Sequence, residues 1–98
     1  MELKNMNDLK HIYFLGIGGI GMSALAKYFI QSGKTVSGYD KVEAELTKEL
    51  VAMGAHIQYE DVASTFPNAV DLVIYTPAIP KDSALLNHIQ QSGIPIMK

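Results

Sequence analysis

The chain has 98 residues, which is enough for one domain with a single hydrophobic core and too few for two. A hydrophobic fraction of 48% excludes a disordered chain, and a net charge of −2 without a basic stripe argues against nucleic acid as a ligand. The absence of cysteine excludes disulfides and thiolate metal sites, and no apolar run approaches the roughly 20 residues that span a bilayer. We therefore expect a soluble, cytoplasmic single domain.

Apolar, strand-like runs alternate with helical patterns along the whole chain. The runs cover residues 12–15, 35–39, 56–58, 72–76 and 94–97. Amphipathic helical stripes lie within residues 22–30, 46–53 and 85–89, and a glycine follows each of them as a helix end. Residues 61–68 predict one short helical turn, which Pro67 ends.

This alternation predicts an α/β fold. Strands that alternate with helices form βαβ units, and these build a parallel sheet with helices on both faces. Right-handed crossovers favour a Rossmann-like, doubly wound sheet of five strands in the order 3-2-1-4-5. Because this order reverses direction between the first and fourth strands, the loops that follow those two strands should face each other across a ligand site.

A glycine-rich loop joins the first predicted strand to the first helix and reads Gly-Ile-Gly-Gly-Ile-Gly-Met-Ser. In this position a G-x-G-x-x-G pattern indicates phosphate binding, because a helix N-terminus offers unpaired N–H groups and about half a positive charge. Side chains at Gly16, Gly18 or Gly21 would keep a diphosphate from these donors or the helix from packing on the strand. The predicted diphosphate-binding residues are Gly16, Ile17, Gly18, Gly19, Ile20, Gly21, Met22 and Ser23.

Two further features accompany this loop. Asp40 ends the second predicted strand about 20 residues after the loop, where an acidic residue commonly accepts a hydrogen bond from a ribose hydroxyl. The alternative is an aspartate that only caps the next turn.

Residues 76–80 contain two prolines and form a stiff loop, which could hold a ligand or serve as a rigid connection. Neither a metal-binding histidine spacing nor a nucleophile with its base stands out.

The run from His11 to Ala26 resembles the beginning of the UDP-N-acetylmuramate–L-alanine ligases, a branch of the Mur ligase family. Those proteins carry a histidine, a few apolar residues, Gly-Ile-Gly-Gly-x-Gly-Met and a helix of small residues. Residues 36–40, 76–79 and 93–97 are similar, in the same order, to the second strand, the Ser/Thr-x-Ala-Ile loop and the fifth strand of the family. Tyr39 and Pro77 depart from the residues that are frequent there, and Pro77 cannot donate an N–H.

The resemblance implies that residues 1–98 are an N-terminal domain that binds the UDP part of UDP-N-acetylmuramate for peptidoglycan precursor synthesis. Nothing in the chain matches a P-loop, so ATP, Mg²⁺ and the catalytic residues would belong to central and C-terminal domains that are absent here. We expect no cofactor, metal or catalytic residue in this domain, and the substrate and the other ligase domains as its partners. The implied contacts are the diphosphate with residues 16–23, the uridine with Asp40 and Ser37, and a facing loop of Thr76, Pro77, Ala78 and Ile79.

A different class of protein remains open from the residues alone. The same glycine loop and Asp40 are typical of an NAD(P)-binding Rossmann domain in a dehydrogenase or a redox sensor. An NADP site favours an arginine near the acidic residue, whereas Lys41 is the only cation beside Asp40 in the sequence. NAD is therefore the stronger form of this alternative.

Overall fold

The computed structural model describes residues 8–97, so residues 1–7 and 98 of the predicted domain lie outside the described part. In chain order the elements are β1 (His11–Leu15), α1 (Ile20–Gln31), β2 (Thr35–Tyr39), α2 (Glu45–Ala52), β3 (His56–Gln58), β4 (Leu72–Tyr75), α3 (Ala84–Ser92) and β5 (Ile96–Met97). A single 3₁₀ turn, Ala63–Thr65, lies in the β3–β4 connection, within the segment where the sequence predicts a short helical turn. None of the helices in residues 8–97 is long and apolar enough to cross a membrane.

The five strands form one parallel sheet in the order β3-β2-β1-β4-β5, which confirms the predicted fold and strand order. The central strand β1 pairs with β2 from His11 to Leu15 and with β4 from Ile12 to Leu15. The direction of the chain across the sheet therefore reverses at β1 and β4. Ligand sites of doubly wound sheets lie at this position, beyond the carboxyl ends of the strands.

Hydrophobic side chains cover both faces of the sheet. Because side chains alternate along a strand, Ile12 and Phe14 join the cluster that packs under α1 and α2. Tyr13 and Leu15 point to the opposite face and join the cluster that packs under α3. These four side chains of β1 have no exposed surface. The carboxyl end of β1, from which the glycine loop starts, is therefore fixed from both sides.

The structure differs from the sequence prediction at several strand ends and at one residue of the predicted helical stripe. β4 ends at Tyr75 instead of residue 76, because Thr76 begins a turn in which its carbonyl accepts from the Ile79 N–H at 3.1 Å. β5 starts at Ile96 instead of residue 94, next to Pro95, which has no N–H to give to the sheet. Leu25, which the helical stripe places in the core, is 38% exposed, because the inward face of α1 is formed by Ser23, Ala26 and Phe29.

Candidate functional site

A cleft of about 560 Å³ lies at the reversal point of the sheet, between the glycine loop and the loop after β4. This volume is within the range of small-molecule sites, roughly 300–1,000 Å³. The two loops touch, since a Cβ atom on Gly16 would lie 2.6 Å from Cγ2 of Thr76. The cleft is lined by Gly16, Gly19, Met22, Tyr39, Asp40, Lys41, Asp61, Thr76, Ala78, Ile79 and Pro80.

The backbone of the glycine loop is held by the end of β2. The N–H groups of Gly16 and Ile17 both donate to the carbonyl of Tyr39, at 2.8 and 3.0 Å, and the Gly19 N–H donates to Gly16 at 3.2 Å. The next three amides, of residues 20–22, belong to the first turn of α1, where an α-helix provides no acceptor. No side chain caps this turn at Gly19. The cleft therefore borders the positive end of a helix whose donors suit an anion.

The predicted diphosphate-binding residues do not all line the cleft. Gly16, Gly19 and Met22 line the cleft. The side chains of Ile17 and Ser23 are buried, and the Ser23 hydroxyl donates to the Ile20 carbonyl at 3.0 Å, so these two side chains support the loop from below. Ile20 is 85% exposed, and a Cβ on Gly21 would meet nothing within 4 Å. A side chain at Gly21 would therefore not keep α1 from packing on β1, contrary to one of the two reasons offered for that glycine.

Asp40 lies at the cleft, directly after β2, and its carboxylate is engaged by backbone donors. Oδ2 accepts from the Gly18 N–H at 2.8 Å, and Oδ1 accepts from the Val42 N–H at 3.1 Å. The preceding residue, Tyr39, also lines the cleft. Burial raises the pKa of the Tyr39 hydroxyl, and the carboxylates of Asp61 and Asp40 raise it further. Like an unperturbed tyrosine, the phenol keeps its proton at neutral pH and can donate a hydrogen bond.

The structure does not bring Ser37 to the cleft. Ser37 lies two residues before the end of β2 and is buried, and its hydroxyl is 2.8 Å from Nε2 of His11. It lines a separate cavity of about 210 Å³ together with Tyr13 and His56. Each residue of a strand advances roughly 3.3 Å, so two residues remove the side chain from the edge where a ligand would lie. The contact expected between Ser37 and uridine has no support in this geometry.

The His11 partner of Ser37 makes stability depend on pH. Burial lowers the pKa of His11, and His56 lowers it further, whereas the nearby Asp71 carboxylate opposes the shift. The unfolded chain therefore binds a proton on this side chain at a higher pH than the folded chain does. We expect the contribution of His11 to stability to be largest above about pH 6.5 and to fall as the pH drops from there through the lowered pKa.

Thermal denaturation of the wild type and of His11→Gln, at about pH 7.5 and about pH 5.5, tests this expectation. The difference in melting temperature between the two pH values should be smaller for His11→Gln than for the wild type. His88→Gln, a change at an exposed histidine, is the control and should keep the wild-type difference. An equal pH dependence in all three proteins would contradict the assignment to His11.

The loop after β4 presents its side chains, and not its amides, to the cleft. The N–H of Thr76 donates to Leu15 at 3.4 Å, that of Ile79 donates to the Thr76 carbonyl, and that of Ala78 donates to the Thr76 hydroxyl at 3.4 Å. Thr76, Ala78 and Ile79 line the cleft, whereas Pro77 lines a neighbouring cavity beside α3. The donor that this loop can offer to a ligand is therefore the Thr76 hydroxyl.

Asp61 is a residue of the cleft that the sequence analysis did not identify. It follows β3, and its Oδ1 accepts from the Ser83 hydroxyl at 3.0 Å and from the Leu85 N–H at 2.8 Å. Ser83 in turn caps α3 by accepting from the Leu86 N–H at 3.2 Å. Asp61 therefore ties the wall of the cleft to the start of α3. It lies in an aperiodic segment, and its partners are more than 20 positions away, so no local pattern indicates it.

Comparisons with known proteins agree with this architecture. The family model described as "Mur ligase family, catalytic domain" matches residues 11–98. The UDP-N-acetylmuramate–L-alanine ligase of Christiangramia forsetii is 39% identical over 102 residues, which cover 98% of this chain and 23% of the relative. This chain thus spans less than a quarter of the length of that curated relative.

Solved structures give the same result. The crystal structure of the UDP-N-acetylmuramate-alanine ligase from Thermotoga maritima matches with a TM-score of 0.83 and 37% identity, over 91% of this chain and 20% of that one. The UDP-N-acetylmuramate:L-alanyl-gamma-D-glutamyl-meso-diaminopimelate ligase from Neisseria meningitides matches with a TM-score of 0.80 and 26% identity, over 91% of this chain and 28% of that one. Sequence, family model and fold agree over nearly all of the described residues, and the chain belongs to the Mur ligase family.

Proposed function

We propose that this domain binds the UDP part of UDP-N-acetylmuramate. The observation that carries the proposal is the start of α1, which no side chain caps and which borders a cleft closed on its other side by the loop after β4. A diphosphate placed there accepts from the first-turn amides of α1 and gains from the helix dipole. The relatives are named as ligases that act on UDP-N-acetylmuramate, which supports this choice of nucleotide.

The charges of the cleft suggest the direction in which the ligand lies. Asp40 and Asp61 place two carboxylates on the side formed by β2 and β3, with Lys41 as a cation beside them. Two carboxylates would repel a phosphate placed next to them. The hydroxyl and N–H groups of uridine, in contrast, can donate hydrogen bonds to carboxylates. In our proposal, the diphosphate lies at α1 and the uridine lies towards Tyr39 and Asp40.

The activity of the whole protein is proposed from its longer relatives. We propose that the domain holds the substrate in an ATP-dependent ligase that joins L-alanine to UDP-N-acetylmuramate during peptidoglycan precursor synthesis in the cytoplasm. ATP and Mg²⁺ would bind to parts of such a ligase that lie outside these 98 residues, and we assign no catalytic residue to this domain. Its partners would be the substrate and the other ligase domains.

The direct test is an NMR titration of the 98-residue chain with UDP-N-acetylmuramate, UDP and NAD in parallel. We expect the two uridine nucleotides to shift the amides of residues 19–22 and 39–40, and NAD to bind more weakly. Tighter binding of NAD, with shifts of the same amides, would favour the dehydrogenase alternative. The absence of shifts at α1 with millimolar UDP-N-acetylmuramate would contradict the proposal.

A pair of matched variants adds a control for folding. Gly19 and Ala44 are both exposed residues in extended conformation directly before a helix, and only Gly19 lines the cleft. A Cβ on Gly19 would have its nearest neighbour at 3.6 Å, so a side chain fits the free protein but enters the cleft. We expect Gly19→Val to weaken UDP-N-acetylmuramate binding at least about tenfold, which corresponds to ~1.4 kcal/mol, and Ala44→Val to bind like the wild type.

A further inference from the structure

Asp40 is bound on both carboxylate oxygens by backbone amides of two different loops. Gly18, in the glycine loop, donates to Oδ2 at 2.8 Å, and Val42, in the β2–α2 loop, donates to Oδ1 at 3.1 Å. Its own backbone N–H donates to Gln58 at the end of β3, at 3.2 Å. One side chain therefore joins the glycine loop to the next loop of the sheet. Bonds from amides to a carboxylate are charge-assisted and stronger than bonds between neutral groups.

Gly18 fits closely against this carboxylate. A Cβ on Gly18 would lie 2.7 Å from Oδ2 of Asp40 and 3.2 Å from Cγ2 of Thr47. Thr47 is completely buried, and its hydroxyl both accepts from the N–H of Ala44 and donates to its carbonyl, so the side chain is fixed at the start of α2. The second glycine of the loop thus permits contact with Asp40, a residue of the protein itself.

These contacts determine which donors the loop can offer to a ligand. The amides of Gly16, Ile17, Gly18 and Gly19 all donate within the protein. The backbone amides in the first turn of α1 have no acceptor in the helix, so these are the amides that can donate to a phosphate. Their position depends on the path of the preceding loop, which is attached to β2 through the Tyr39 carbonyl and the Asp40 carboxylate.

We propose that Asp40 is a positioning residue: it holds Gly18 so that the start of α1 faces the cleft, and its effect on affinity acts mainly through the loop. The identity of the ligand rests on the proposed function, whereas the attachment of the glycine loop to Asp40 is independent of it. A residue that mainly accepted from the ribose would instead leave the loop unchanged when removed. The two roles therefore predict different behaviour of the free protein.

Hydrogen exchange of the Gly18 amide tests the attachment without any ligand. We expect Asp40→Ala to raise the exchange rate of this amide at least about tenfold, the ratio that accompanies loss of a hydrogen bond of ordinary strength. Asp40→Asn keeps one acceptor oxygen and should give an intermediate rate. Asp82→Asn, a change at an exposed carboxylate outside the cleft, should leave the rate unchanged. An unchanged Gly18 rate in Asp40→Ala would overturn the proposal, whether or not the protein binds UDP-N-acetylmuramate.

A double-mutant cycle between Asp40→Ala and Gly18→Ala tests how Asp40 affects affinity. Gly18→Ala forces the carboxylate away, and Asp40→Ala removes the carboxylate, so both single changes release the same contact. We expect each to weaken UDP-N-acetylmuramate binding at least about tenfold, and the double variant to bind within about twofold of the weaker single variant. Losses that multiply in the double variant would show that Asp40 acts on affinity independently of Gly18, and would overturn the positioning role.

If wild-type protein binds none of the nucleotides, the proposed function fails and the exchange experiment still decides whether Asp40 holds the loop. If wild-type protein binds UDP-N-acetylmuramate but Gly18 exchange is insensitive to Asp40, the proposed function stands and the positioning role fails. Circular dichroism spectra of all variants at the titration temperature show whether each is folded. If Asp40→Ala does not fold, Asp40→Asn takes its place, and we expect it to have an intermediate effect on both the Gly18 exchange rate and the affinity.

Discussion

Gly38→Ala should lower the free energy of unfolding by about 1–3 kcal/mol, the usual range for atoms forced into a well-packed interior. A Cβ on Gly38 would lie 2.7 Å from the carbonyl oxygen of Phe14 and 2.7 Å from Cδ1 of Ile17. Phe14 is the register partner of Gly38, so its carbonyl belongs to the backbone of the central strand β1. The carbonyl cannot move without disturbing the pairing of β1 with β2. Urea denaturation gives the free energy directly.

Gly21→Ala is the matched control for Gly38→Ala. Both changes add one methyl group, but Gly21 is exposed in the first turn of α1, and its Cβ would meet nothing within 4 Å. Alanine is more favourable than glycine within a helix, so we expect this variant to gain up to about 0.5–1 kcal/mol. Losses of equal size in the two variants would contradict the steric explanation.

The sequence predicts the fold correctly because the residues that begin and end its strands and helices act locally. The strand from Thr35 to Tyr39 has the predicted bounds, and so has the one from His56 to Gln58. Gly93 ends α3 in the left-handed conformation, as its place after the helical stripe suggests. With these elements in place, the handedness of βαβ crossovers leaves few strand orders, and the observed order is the predicted one.

The details of the cleft are less predictable because they depend on distant contacts. That Asp40 lies at the cleft follows from its place at the end of β2, but its bond to Gly18 joins residues 22 positions apart. The sequence alone does not show which residues lie beside Ser37. The register with β1 pairs Ser37 with Tyr13, and both line a cavity separate from the cleft. Asp61 is held at the start of α3 by bonds from Ser83 and Leu85, which lie 22 and 24 positions away, so no local pattern indicates its place.

Gly16→Ala should have a comparably large effect at the point where the two loops of the cleft touch. Gly16 has a φ of +90°, a conformation that an L-residue adopts at a cost of about 1–2 kcal/mol. In addition, its new Cβ would lie 2.6 Å from Cγ2 of Thr76. This steric clash involves only the side-chain methyl group of Thr76, so a second substitution at Thr76 can remove it without changing the backbone cost. Urea denaturation of the single variant should therefore show a loss larger than the backbone cost alone.

Thr76→Ser in the Gly16→Ala background separates the two terms. Serine keeps the hydroxyl that accepts from Ala78 and removes the methyl group that Gly16→Ala would strike. We expect the double variant to recover the steric part of the lost stability and to retain the loss of about 1–2 kcal/mol that the backbone conformation imposes. Because the added methyl group would press against the loop on the other side of the cleft, UDP-N-acetylmuramate affinity should fall in Gly16→Ala and recover partly in the double variant. If Thr76→Ser changed neither quantity in that background, the contact between the loops would not limit the substitution, and their spacing would have to be set elsewhere in the cleft.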